Sequence, residues 1–204
     1  MPTNRCLWCN ECIYQNRNIS DIFFSNDCLC TKCRSLLKPQ YIHFNQHGVK
    51  GLAIYEYDAT LAEMFFQFKQ GLDIDLASVF LPLELSKIQR YIGLRQCIIA
   101  PSSKASFLKR HFIPLNLILK PLHRPIISPF IKLSDEQKGL ALSKRQEVSI
   151  ALKQELKLRD HLCLIDDVFA TGSTIKACLT ALNNAGYNDI NVLIIALDKE
   201  RVND

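Results

Sequence analysis

The sequence predicts an α/β fold, a parallel sheet with helices on both faces, carrying a small N-terminal zinc module, and three observations predict it. Residues 162–165 and 192–197 are uninterrupted apolar runs, as in strands buried on both faces of a parallel sheet. Between them Ile175, Cys178, Leu179 and Leu182 share one helical face, and Gly186 is placed to stop the helix, so the segment reads as a right-handed βαβ unit. Six of the nine cysteines crowd the first 33 residues. With 204 residues, 48% of them hydrophobic, the chain can bury one core plus a small appendage rather than two full domains. The expected organisation is a four-cysteine module over 1–38, a linker over 39–50 and an α/β domain over 51–204. No apolar run reaches the roughly 18 residues of a membrane span, and the start MPTNRCLWC lacks an apolar signal region, so a soluble, cytoplasmic protein without a membrane span is expected.

The cysteines are Cys6, Cys9, Cys12, Cys28, Cys30 and Cys33. Cys6-Leu-Trp-Cys9 and Cys30-Thr-Lys-Cys33 form two C-x2-C knuckles able to set four thiolates around Zn²⁺, with too few apolar residues between them to fold unaided. Disulfides are the alternative, disfavoured in a reducing compartment. Spacing alone leaves the ligand set open, because Cys9 with Cys12 is also C-x2-C and Cys28 could replace Cys30. Cys97, Cys163 and Cys178 fall within strand or helix patterns and read as small core residues.

Pro39, Asn45 and Gly48 mark the linker; His43 and His47 would suit a metal only on a helix, which these residues oppose. Residues 52–57 alternate like a strand. Asp58 caps a helix that buries Leu61, Phe65 and Phe68 and ends at Gly71, its aromatics being core rather than a platform for stacking bases. Residues 72–92 read as helix broken near Pro82, and 96–100 as a strand whose carboxyl end runs into Pro101, Ser102, Ser103 and Lys104. Pro121, Pro125 and Pro129 exclude one continuous helix; the segment is either a loop closing over a substrate or an ordinary connection. Ser134-Asp-Glu-Gln137 is a capping box opening a further helix, on which Gln137 and Arg145, two turns apart, can face one ligand.

Charge is distributed unevenly. The net charge is +5, but residues 104–145 carry +7 and the remainder −2. A basic middle fits a pyrophosphate or nucleic-acid partner, the alternative being a solvated basic face.

The chemistry concentrates at LIDDVFATGST. Asp166 and Asp167 close the apolar run, and Ala170, Thr171, Gly172, Ser173 and Thr174 make a small-residue, hydroxyl-rich loop at a helix N-terminus, where backbone amides and hydroxyls can hold a phosphate. No lysine follows the glycine, so this is not a nucleoside-triphosphate P-loop. Two acids would repel a bare phosphate but suit a sugar phosphate, accepting from ribose hydroxyls or holding Mg²⁺, so the expected ligand is a ribose 5-phosphate. The alternative is an ordinary βα turn with an exposed acidic strand end.

This motif resembles the phosphoribosyl-pyrophosphate motif of type I phosphoribosyltransferases, and the chain as a whole resembles the ComF family of competence-associated proteins. The resemblance implies a type I phosphoribosyltransferase-like fold and favours the outer cysteine set, Cys6, Cys9, Cys30 and Cys33. It extends through YDATLAEMFFQFKQGLD, which is similar to the stretch joining zinc module to core, to a pyrophosphate loop at Pro101, Ser102, Ser103 and Lys104. Arg110-His111-Phe112 stands where the family has Arg-Gly-Phe, and Gln137, Leu140 and Arg145 match a family spacing whose next Asn is Val148 here. Ala105 and Ser106 occupy frames that are usually basic, and Phe169 replaces a smaller aliphatic residue, a change expected to crowd the site.

The function so implied is a competence protein for DNA uptake that binds phosphoribosyl pyrophosphate with Mg²⁺, or a nucleotide-like ligand, and handles single-stranded DNA with a competence helicase-like partner. An active phosphoribosyltransferase is the alternative, and an interaction scaffold with a relic site a third reading. No residue can be named as a base, and the departures at Ala105 and Ser106 lead to an expectation of slow or absent turnover.

Overall fold

A computed structural model describes residues 5–13, 28–81, 85–132, 150–153 and 157–199. Helix α1 (Thr31–Leu36) leads into a hairpin of β1 (Ile42–Gln46) and β2 (Val49–Glu56). His47 and Gly48 turn the hairpin with φ of 52° and 78°, the left-handed pair that a two-residue turn between right-twisted strands requires. The expected linker therefore supplies an edge strand: Phe44 points inward and His43 outward, and neither His43 nor His47 sits on a helix. Helix α2 (Ala59–Lys69) starts where its cap predicts. The Asp58 carboxylate accepts from the Leu61 amide at 2.8 Å, and Leu61, Met64, Phe65 and Phe68 form the buried face.

A 3₁₀ turn (Ile74–Val79), α3 (Ser86–Ile92) and β3 (Gln96–Ile99) follow, then α4 (Lys104–Arg110) and α5 (Pro114–Ile118). The proline-punctuated stretch takes a 3₁₀ turn (Lys120–Leu122) and a short strand, β4 (Ile126–Ile127), ahead of β5 (Phe130–Lys132). The capping box at Ser134, together with Gln137, Leu140 and Arg145, lies outside the described residues. Beyond them come β6 (Ile150–Leu152), β7 (His161–Phe169), α6 (Ser173–Asn184) and β8 (Asp189–Leu197).

Among the described residues one six-stranded sheet runs β1-β2-β8-β7-β3-β4, and β5 and β6 form a separate two-stranded ribbon. The pairs from β2 to β4 are parallel and the β1–β2 pair is antiparallel, so the α/β expectation holds for a mixed, mostly parallel sheet. Alternate residues of each central strand feed opposite cores. Cys163, Ile165, Leu193 and Ile195 pack with α2, α3 and α5, whereas Leu162, Leu164, Val192 and Ile194 pack with α6. Burial on both faces is why these strands read as unbroken apolar runs. Cys6, Leu29, Cys33 and Leu37 join the first core, so the cysteine segment rests on the sheet domain. Among the described residues no helix is long and apolar enough to cross a membrane.

Connectivity fixes where a ligand can enter. From β3 the chain continues to β4 on one side, from β7 to β8 on the other, and β3 and β7 are neighbours. That divergence opens a crevice at the carboxyl ends of the two strands, where open α/β sheets bind ligands. It is deepened by unequal lengths. Pairing of β3 ends at Ile99 with Ile165, while β7 stays paired with β8 through Phe169 and Leu197. The strand expected to end at 165 thus runs on through both acids.

Candidate functional site

A cavity of about 380 Å³ lies in this crevice. Asp166, Asp167 and Val168 of β7 line one side, Ala100, Pro101, Ser102 and Ser103 after β3 another, and Thr174 of α6 contributes from the phosphate-type loop. Of the residues singled out in the sequence, the acid pair, the serine loop and Arg110 therefore converge on one space. Asp166 Oδ1 accepts from the Asp167 amide at 2.9 Å. Burial, and then the neighbouring Asp167 carboxylate, push Asp166 up to about 7, because a second negative charge beside the first is costly away from bulk water.

The loop is built around Gly172. Its φ of 69° is left-handed, and an added Cβ would lie 2.5 Å from Cζ of Phe169. Phe169 is buried against Phe44, with ring centroids 5.0 Å apart, so it packs beneath the loop rather than crowding the cavity as its size suggested. Thr171 and Ser173 are exposed and joined through their hydroxyls at 3.1 Å, and Thr174 is the loop residue that faces the cavity.

Ser103 is the cap of α4 rather than only a loop residue. Its Oγ accepts from the Ser106 amide at 3.1 Å and donates to the Ser106 hydroxyl at 2.7 Å, and Lys104 is the first residue of the helix. Ser106 thus lines the cavity from the frame that had counted as a loss, and the Arg110 guanidinium is steadied by donating to its carbonyl at 3.1 Å. His111 ends α4 at φ 60°, the left-handed position at which the resembled family carries glycine.

Two cations were missed. Lys69, the last residue of α2, ion-pairs with Asp167 Oδ2 at 2.7 Å and lies 4.5 Å from the Phe65 ring centroid. Lys132, at the end of β5, lines the same cavity. Neither carries a local motif, since both reach the cavity through tertiary packing; the hints were that Lys69 falls in the family-like segment before Gly71 and that Lys132 falls in the basic span 104–145. With Arg110, three cations face two acids among the described residues.

The second cluster is the cysteine set. The thiols of Cys6, Cys9, Cys30 and Cys33 all lie within 4.8 Å of one another, and Cys9 Sγ is 3.7 Å from Cys30 Sγ. Four sulfurs tetrahedral about zinc at about 2.3 Å stand about 3.8 Å apart, so the set can hold a zinc ion. Local geometry prepares it. The Asn10 amide donates to the Cys6 carbonyl with Asn10 at φ 60°, closing the first knuckle, and Cys30 caps α1 by accepting from the Cys33 amide at 3.5 Å. Burial raises the Cys6 thiol, but backbone amides of Cys9, Cys30 and Trp8 outweigh it and bring it down to about 7. Burial and the three surrounding thiols push Cys33 up, a crowding of incipient charge that a dication relieves. The outer cysteine set is the one brought together, and the exposed Cys12 and the half-buried Cys28 are not part of the cluster. Cys97, Cys163 and Cys178 are buried and held protonated by burial, as small core residues should be.

No family model matches the chain. Among curated proteins it is similar to "Competence protein ComFC" of Streptococcus pneumoniae, 25% identical over 153 residues that span 70% of this chain and 66% of that protein. The ComF resemblance carried by the motif at 166–174 and by the four cysteines is thus borne out by a distant ComFC relative that matches most of the chain.

Proposed function

We propose that this chain is a ComF-type competence protein whose switch-point cavity binds a ribose 5-phosphate, phosphoribosyl pyrophosphate being the best fit, and whose four cysteines hold a structural zinc. The observation that carries the ligand reading is the division of the cavity lining between two chemistries: the carboxylates of Asp166 and Asp167, and the hydroxyls of Ser103 and Ser106 with the cations of Arg110 and Lys132. Carboxylates suit ribose hydroxyls, and hydroxyls with cations suit phosphate oxygens. A ligand carrying both chemistries matches that division, whereas a bare anion would meet the acids. Mg²⁺, if bound with the pyrophosphate, would be held by the same acid pair and would supply charge neutralisation.

Single-stranded DNA is the proposed macromolecular partner, with a competence helicase-like protein as its companion. Support comes from the basic middle of the chain. Lys109, Arg110 and Arg124 donate to the neutral oxygens of Gln70, Ser106 and Gly93, so their charge remains available to an anionic partner.

A transferase is the second reading, favoured by Lys69, Arg110 and Lys132 around one cavity, which offset the basic residues missing at 105 and 106. Such an enzyme would act by positioning the ribose and neutralising a departing pyrophosphate. Calorimetric titration with phosphoribosyl pyrophosphate tests the ligand reading. Binding that Asp167→Asn abolishes supports it, and no binding of any ribose phosphate sinks it. Release of pyrophosphate on addition of bases or amines would favour the transferase. Affinity for single-stranded DNA that does not fall with salt would sink the nucleic-acid reading.

A further inference from the structure

The side chain that most directly controls the acid pair is one to which neither motif nor relative assigns a role. Lys69 Nζ lies 2.7 Å from Asp167 Oδ2, with only 19% and 24% of the two side chains exposed, and 4.5 Å from the Phe65 ring centroid. Phe65 is itself fixed, stacked on Phe80 with centroids 4.4 Å apart and planes within 9°. The ammonium is therefore held between a carboxylate and an aromatic face at the end of α2, where the helix dipole also favours a cation. It holds one oxygen of the carboxylate that would accept from a ribose hydroxyl, and it does so inside the cavity.

Resting on the ribose-phosphate reading, we propose that Lys69 is a specificity-determining residue: it neutralises Asp167 while the cavity is empty and passes to a second anionic group of the ligand when the cavity fills. The cavity offers that group a place, because Lys69 lines the same space as Ser103, Ser106 and Arg110. A sugar phosphate with a further pyrophosphate brings its own anion and draws the ammonium off Asp167. One with only a 5-phosphate has no group to receive it and must break the ion pair uncompensated. A ligand shifts such an equilibrium only through its differential contacts with the two arrangements, and the second anion supplies them. The site consequently selects doubly anionic ribose phosphates over singly anionic ones, without any change of fold.

The test is paired calorimetry of phosphoribosyl pyrophosphate and ribose 5-phosphate, at one fixed Mg²⁺ concentration, on the wild-type chain, Lys69→Met and Lys69→Arg. In Lys69→Met the pyrophosphate-bearing ligand should weaken by roughly 10- to 100-fold, the factor carried by one hydrogen bond to a charged group, while ribose 5-phosphate binds at least as tightly as before. Lys69→Arg, which keeps the charge, should restore the preference. Equal weakening of both ligands in Lys69→Met, or no change in either, overturns the proposal while leaving the ribose-phosphate reading intact. A wild-type chain that binds neither ligand overturns both. Should Lys69→Met lose its cooperative thermal transition, Lys69→Gln, which keeps the length and a polar end, carries the same comparison.

Discussion

The cysteine cluster and the switch-point cavity both gather acids that repel one another when ionised, and they relieve that repulsion by opposite means. Four thiols converge within 4.8 Å, an arrangement that a bound dication would complete. In the cavity two carboxylates are answered by the protein itself, through Lys69 on Asp167, Lys132 along the wall, and a proton drawn to Asp166. Thiolates and a metal make a closed structural site. Carboxylates balanced by movable side chains make a site that can exchange its counter-ions for a ligand.

The largest expected effect breaks the first region. Cys6 and Cys33 are buried in the same core as Phe68, Val79 and Leu193, so metal loss should reach the sheet domain instead of remaining confined to the N-terminal segment. Cys33→Ser should empty the site of zinc, measured by elemental analysis, and lower the single melting transition by about 10 °C, since a loss of about 3–5 kcal/mol moves a domain of this size by that much. A zinc-free variant with an unchanged melting temperature would show the segment to be an independent appendage.

The cavity's loop is tested by a smaller change. Gly172→Ala adds only a Cβ, yet it must accept a left-handed φ and a contact 2.5 Å from Phe169 Cζ. The expected cost is about 2–3 kcal/mol by urea unfolding. Phe169→Leu removes the opposing ring atom and leaves the backbone angle. In that background the same glycine substitution should cost only about 1 kcal/mol, the part owed to φ. Equal costs in the two backgrounds would mean that the aromatic contact contributes nothing, and that the glycine is there for its dihedral alone.

What the sequence disclosed follows the range of the interactions involved. The C-x2-C pairs, the Asp58 cap with its apolar face, and the βαβ unit from 162 to 197 all depend on neighbours a few residues apart, and each was legible. Spacing left the zinc ligand set open; which four thiols meet is a matter of tertiary contact, such as Cys9 Sγ beside Cys30 Sγ 21 positions along the chain. Strand β1 was misread as linker because its polar residues, His43 and Asn45, are those of an exposed edge, and Phe44 is its one buried residue. Lys69 and Lys132 were overlooked because lysine has no local signature for facing a cavity assembled from β3, β7 and α2. Phe169 was read as an intrusion on the ligand because the sequence does not disclose that the strand continues through Asp166 and Asp167 and turns the ring toward Phe44.

The smallest effect concerns the proton on the acid pair. Asp166 is raised from 3.8 in an unperturbed aspartate to about 7 in the folded chain, first by burial and then by Asp167. An acid whose folded pKa is raised binds its proton more tightly in the native state, so its contribution to stability is fully present below about pH 4. It declines as pH rises toward 7, where the folded chain must hold a second carboxylate charge that the unfolded chain gives to water. The cavity admits solvent, which screens the pair, so the net effect should be only about 1 kcal/mol, or about 0.5 M in urea midpoint. Asp166→Asn carries no charge at any pH and should remove the decline: the two chains should unfold at similar urea concentrations at pH 4, and the variant at the higher one at pH 8. Coincident profiles at both pH values would mean that Lys69 and Lys132 already neutralise the pair. The cavity would then resemble the cysteine cluster, a set of like charges fully settled before any ligand arrives.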